Sequence, residues 1–151
     1  MAEATAWILK LGDGLRVAVS ERELTHFIER PTLEDVPQTP THCRQVLLWE
    51  GEILPVIDLT AWLTGQQLDR GRGVAGIVGW QDQPGAAPQY GALLFTEIPQ
   101  KVKLKDEQAC ALPSQPQGLP QIAASCFVHD KRPVPILDLP QLFSNALAAG
   151  R

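Results

Sequence analysis

The pentapeptide Pro55-Val56-Ile57-Asp58-Leu59 returns 80 residues later as Pro135-Ile136-Leu137-Asp138-Leu139. An internal copy of this kind implies two related structural units within one chain. In each copy an apolar run ends at an aspartate, followed by a short segment of helix-like apolar spacing, Leu59 to Leu63 and Leu139 to Phe143. An aspartate there accepts hydrogen bonds from the free N–H groups of a helix's first turn, worth about 1 kcal/mol. Asp58 and Asp138 therefore read as helix caps and not as catalytic acids, because nearly every helix start needs such an acceptor.

Thirteen prolines and twelve glycines cut the rest into short apolar runs, which favours strands joined by turns. The expected fold class is all-β. Trp7 to Leu11 and Leu15 to Val19 flank Gly12-Asp13-Gly14 as one hairpin, and Val46 to Trp49 and Glu52 to Ile57 flank Glu50-Gly51 as a second. The arms of the second are almost continuously apolar, which predicts strands covered on both faces. Further strands are expected at Val74 to Trp80, Tyr90 to Phe95, Lys101 to Leu104, Ile122 to Val128 and Pro133 to Leu137. Helix is expected only at Ser20 to Ile28, Leu59 to Leu63 and Leu139 to Leu147. The polar, glycine-rich stretch Thr64 to Gly73 places a boundary near residue 68, dividing the chain into halves 1–68 and 69–151. Asp82 to Gln89 and Pro113 to Pro120 are too rich in Pro, Gly and Gln to belong to a core and are read as loops.

A chain of 151 residues can bury enough surface for one ordinary core or two small abutting ones. Thirteen basic against seventeen acidic residues, a net charge of -4, provide no basic field to gather nucleic acid or anionic lipid. The three cysteines, Cys43, Cys110 and Cys126, show no framework spacing and read as core thiols in a reducing compartment. With no apolar run long enough to span a membrane, a cytoplasmic protein is expected. Trp7, Trp62 and Trp80 sit within apolar runs and are expected in the core, whereas Trp49 borders a charged turn. Lys101, Lys103 and Lys105 alternate with Val102 and Leu104, the pattern of a half-buried edge strand with a basic outer face.

Catalytic and metal chemistry find little footing. No Gly-x-Ser-x-Gly elbow surrounds any serine, and no phosphate-binding glycine loop precedes a Lys-Ser or Lys-Thr pair. His42, Cys43, Cys110, Cys126 and His129 carry zinc-ligand chemistry. On a strand, however, Cys126 and His129 point to opposite faces, and adjacent His42 and Cys43 diverge when extended. Neither a metal nor a cofactor is expected, and the chain is not expected to be an enzyme.

The extended Val36-Pro37-Gln38-Thr39-Pro40, a hairpin turning at Gly51 and the strand Pro55-Val56-Ile57-Asp58-Leu59 follow one another in the order found in CheW-like domains. The chain resembles that family from about Trp7 to Leu147. The resemblance implies two small five-stranded SH3-like barrels packed together, with docking through apolar flanks and the groove between them. It also implies a non-catalytic signalling adaptor that couples a receptor's cytoplasmic tip to the regulatory domain of a histidine kinase in a bacterial chemotaxis array. Two departures stand out: Leu48-Trp49-Glu50-Gly51 puts an acid where the family usually carries a basic residue, and His26 fills a position that is usually acidic. His26, Trp49, Glu50 and Glu52 are therefore the candidate partner-binding residues. An adaptor of a type IV pilus (twitching motility) system is an alternative, as is a small-molecule-binding sensory module using the inter-barrel cleft.

Overall fold

In the computed structural model, residues 3–37, 39–66, 73–114, 116 and 118–148 are described. The strands are β1 (Glu3–Lys10), β2 (Arg16–Ser20), β3 (Leu24–Glu29), β4 (Leu33–Asp35), β5 (Gln45–Trp49) and β6 (Glu52–Asp58), followed by helix α1 (Leu59–Thr64). They continue with β7 (Val74–Trp80), β8 (Gln89–Phe95), β9 (Gln100–Lys105), β10 (Ala123–His129) and β11 (Arg132–Leu137), and helix α2 (Leu139–Ala148) follows. Both expected hairpins form, with Leu9 opposite Val17 in β1–β2 and Leu47 opposite Leu54 in β5–β6.

The helix expected over Ser20 to Ile28 does not form. Glu23 N–H donates to the Ser20 carbonyl at 3.0 Å to close a turn, and the chain then runs as β3. Thr25, His26, Phe27 and Ile28 are β-branched or ring-bearing residues that suit a pleated surface better than a helix. Their strand pairs antiparallel with β7, from Leu24 opposite Val78 to Glu29 opposite Val74. Tertiary pairing thus decides the conformation of this segment.

The strands form two sheets, a five-stranded one in the order β10-β11-β2-β1-β9 and a six-stranded one in the order β3-β7-β8-β6-β5-β4. The polar connection near residue 68 lies largely outside the described residues, and the sheets do not divide there. Instead each half lends its first hairpin to the other half's sheet. β1–β2 joins β9, β10 and β11, while β7–β8 inserts between β3 and β6. Expected barrels built from 1–68 and 69–151 are thereby corrected to two interlocked ones, and β4 adds a sixth strand to one of them.

The register carries the repeat through this exchange. Val56 on β6 lies beside Ala92 on β8 in a parallel pair, and Ile136 on β11 lies beside Ala18 on β2 in another. Ala92 and Ala18 face Ile77 and Ile8 in their own hairpins. Val46 and Cys126 in turn oppose Pro55 and Pro135. Both helix caps form as well: Ala61 N–H donates to Asp58 Oδ1 at 3.0 Å, and Gln141 N–H donates to Asp138 Oδ1 at 3.2 Å.

Alternation explains the unbroken apolarity of the central strands. Ala92 and Leu94 enter the core of the six-stranded barrel, while Leu93 and Phe95 point into the large core between the barrels. Val17 and Val19 join the same central core, and Ala18 packs in the five-stranded barrel with Ile8, Phe127 and Val134. A period-two strand covered on both faces has no polar side. Trp80 is buried, and Trp7 and Trp62 are half-buried against the central core. β9 is an edge strand whose three lysines are exposed and whose Val102 and Leu104 are half-buried, as their alternation implies.

The Pro113 to Pro120 stretch contributes to the core after all. Leu119 is buried in the central cluster, and Trp62 Nε1–H donates to the Gly118 carbonyl at 3.1 Å. A glycine at φ +96 lets the backbone turn there under the indole.

Both repeat hairpins turn through two residues at positive φ, Glu50 at 49 with Gly51 at 80, and Asp130 at 52 with Lys131 at 65. This is the arrangement whose twist matches the flanking strands, and it favours Asn-Gly. Lys131 occupies the position that Gly51 fills in the first copy. Lys131→Gly is expected to stabilise the fold by about 1 kcal/mol by removing the left-handed penalty on a residue with a Cβ. Urea unfolding midpoints of the two proteins measure it.

Candidate functional site

The β5–β6 hairpin carries apolar side chains on both faces although the barrel covers only one. Leu47 and Leu54 point inward and are buried, whereas the opposed pair Leu48 and Ile53 is 68% and 71% exposed. The half-buried pair Val46 and Pro55 continues this outer face, and Glu34 on β4 borders it opposite Val46. Adjacent exposed aliphatic side chains on a hydrogen-bonded ladder form a pre-ordered patch, and binding there costs little backbone entropy.

The tip of the hairpin gathers the candidate residues. Trp49 packs against His26 of β3 with ring centroids 5.2 Å apart, and against Tyr90 of β8 at 6.0 Å. These three rings close one end of the six-stranded barrel, where Trp49 and Tyr90 are half-buried against its core. His26 is exposed, its Nδ1 lying 3.2 Å from Thr25 Oγ1. Glu52 stands opposite Trp49 in the ladder, and Glu50 occupies the turn, both exposed. All four candidates thus occupy one corner. Sequence reasoning missed Leu48, Ile53 and Tyr90. Leu48 and Ile53 lay inside runs read as covered on both faces, and Tyr90 opened a strand with no pattern to mark it.

Of the potential zinc ligands only Cys110 and Cys126 come together, and the two histidines lie elsewhere. His42 meets the edge of the Trp62 ring with centroids 4.7 Å apart, and His129 Nε2 lies 3.5 Å from Asp130 Oδ2. Among the described residues no three His, Cys, Asp or Glu side chains come together as a metal site requires.

A cleft of about 220 Å³ is lined by Leu15, Arg16, Leu63, Leu119 and Arg132, with prolines from β11 and the 113–119 loop. It is smaller than the roughly 300–1,000 Å³ typical of small-molecule sites. Its two arginines are engaged with the protein itself: Arg16 Nη2 donates to the His129 carbonyl at 2.9 Å, and Arg132 Nη2 to the Gly14 carbonyl at 3.5 Å. Burial and the neighbouring Arg132 lower the Arg16 pKa, and Asp130 partly offsets them.

Two interlocked SH3-like barrels that leave an ordered apolar ladder open to solvent define a β-rich scaffold fold. The family model described as CheW-like domain matches residues 6–147, and the chain belongs to that family. Its fold is similar to that of the scaffolding protein TtCheW from Thermoanaerobacter tengcongensis, with a TM-score of 0.78 at 15% identity over 99% of this chain and 97% of that one. No curated protein matches the sequence. The chain accordingly has the architecture of a chemotaxis-type scaffold or adaptor, and among its described residues no helix is long and apolar enough to cross a membrane.

Proposed function

We propose that this protein is a non-catalytic cytoplasmic adaptor that holds a receptor's cytoplasmic tip and the regulatory domain of a histidine kinase together in a bacterial chemosensory array. The observation that carries this reading is the exposed Leu48–Ile53 pair on a rigid hairpin, flanked by the Trp49–His26–Tyr90 corner and by Glu50 and Glu52. Apolar side chains at the centre of a patch supply affinity, and charges at its rim select the partner. Holding two proteins on one body raises their effective concentration without any chemistry.

The glutamate at the tip favours a partner presenting Lys or Arg. Glu50 also holds a left-handed conformation that a residue with a Cβ adopts at a cost and that asparagine would fit better. Titration against a kinase regulatory domain from the same array tests the reading. Leu48→Ser with Ile53→Ser is expected to weaken the complex at least about a hundredfold, near 2.7 kcal/mol, with the unfolding midpoint nearly unchanged. Glu50→Arg is expected to weaken it at least about tenfold, and less so at high salt. Unchanged affinity in both variants would remove this hairpin from the interface.

A further inference from the structure

We propose that Cys110 and Cys126 are an oxidation site: a peroxide-class oxidant joins them in a reversible disulfide that clamps the 106–122 segment onto the edge of β10. The two sulfurs lie 3.0 Å apart, about 1 Å beyond the 2.03–2.05 Å of a disulfide bond. Their backbones are already in place. Ala109 bridges to Phe127 in antiparallel register, and Cys110 N–H donates to the Cys126 carbonyl at 3.1 Å, so the two cysteines oppose each other across a two-strand step. Residues opposed in this way have Cα atoms about 4.5–5.5 Å apart. That spacing falls inside the roughly 4.4–6.8 Å range that disulfides occupy.

The two thiols divide the work by exposure. Cys110 is half-exposed and meets the oxidant first, whereas Cys126 is buried. Burial and the adjoining Cys110 push the Cys126 thiol up to about 12, so it remains protonated until the first sulfur is oxidised. The Cys110 sulfur attacks one peroxide oxygen as its thiol proton is lost, the O–O bond breaks, and the departing hydroxide takes up that proton, leaving Cys110 sulfenic acid and one water. The Cys126 sulfur then attacks the Cys110 sulfur. The S–O bond breaks, and the departing hydroxide takes the Cys126 proton as a second water. Two electrons pass from the two sulfurs to the peroxide, and one S–S bond replaces two S–H bonds.

The bond closes a loop whose ends lie 16 residues apart and which contains the segment from Cys110 to Leu119. That segment carries Gly118, which accepts from Trp62, together with Pro113, Pro116 and Leu119 of the cleft wall. Oxidation therefore fixes one wall of the cleft, which in the reduced protein is held at the near end by non-covalent contacts.

Treating the full chain with hydrogen peroxide, denaturing it in iodoacetamide and mapping its peptides tests the assignment. The expected result is joint loss of two of the three thiols, with Cys43 alone alkylated, a peptide pair linked through Cys110 and Cys126, and full reversal by dithiothreitol. Cys43→Ser is expected to form the same bond. Oxygen addition at Cys110 with Cys126 still alkylated, or a bond to Cys43 or to a second chain, would overturn the proposal. Proteolysis within 111–118 is expected to slow in the oxidised protein, and equal rates before and after oxidation would overturn the clamp.

Discussion

Residues 1–66 and 73–151, produced as separate chains, are each expected to lack a cooperative fold and to acquire one when mixed. The exchange of hairpins dictates this. The first fragment keeps β3, β4, β5 and β6 but loses β7 and β8, which lie between β3 and β6 in the sheet. Its β1–β2 hairpin loses both neighbours, β9 on one side and β11 on the other. The second fragment keeps β9, β10 and β11 without the two strands that join them. Each would expose half of the central core, in which Leu9, Val17, Val19 and Ile57 pack with Leu93, Phe95, Leu137 and Leu142. Net stabilities of about 5–15 kcal/mol cannot survive losses on that scale. Circular dichroism and size-exclusion chromatography of each fragment and of an equimolar mixture measure the outcome. A monomeric, cooperatively unfolding fragment of either kind would contradict the interlocked topology.

The second large effect is expected at Phe143. This α2 residue is buried and stacks on Trp80 with ring centroids 4.4 Å apart and planes 16° from parallel. Its ring lies so close to β8 that a Cβ on Gly91 would come within 2.4 Å of it. Phe143→Ala is expected to cost about 3–5 kcal/mol through lost burial and a cavity between helix and barrel. Gly91→Ala alone is expected to cost about 1–3 kcal/mol by overpacking the same contact. In the Phe143→Ala background the added methyl meets empty space, so the two changes should fall short of their sum by about the Gly91→Ala cost. Urea unfolding of the four proteins completes the cycle, and strict additivity would show that the ring does not depend on this glycine.

The local grammar of this fold was legible in the residues. The repeated Pro-to-Leu pentapeptide located both hairpin strands and both helix caps, because a capping aspartate and a buried strand leave marks within a few positions. Lys101, Lys103 and Lys105 announced an edge for the same reason. The exchange of hairpins was not legible, since Ala18 carries no sign that its parallel neighbour is Ile136 and not Val56. Thr25 to Ile28 misled for a related reason: their partners on β7 lie some fifty residues away. At the candidate surface, His26, Trp49, Glu50 and Glu52 were marked by their difference from related chains, and the structure places them at one corner. Leu48 and Ile53 were hidden because burial and docking ask for the same residue types, and only the absence of a covering element separates the two uses.

The interlocking also sets a timetable for the chain as it is made. Once Phe95 has been synthesised, every strand of the six-stranded sheet exists, and that barrel can close. β1 and β2 cannot complete their own sheet at that point, because β9, β10 and β11 have yet to be synthesised. At roughly 5–20 residues per second, the stretch from Phe95 to Leu137 takes a few seconds to appear. Through that interval β1 and β2 have each other and, once Lys105 is made, β9, but β2 lacks its neighbour β11 and that sheet stays incomplete. In a nascent chain of this design β1 and β2 therefore precede most of what covers them, and they are among the last strands to be sheltered.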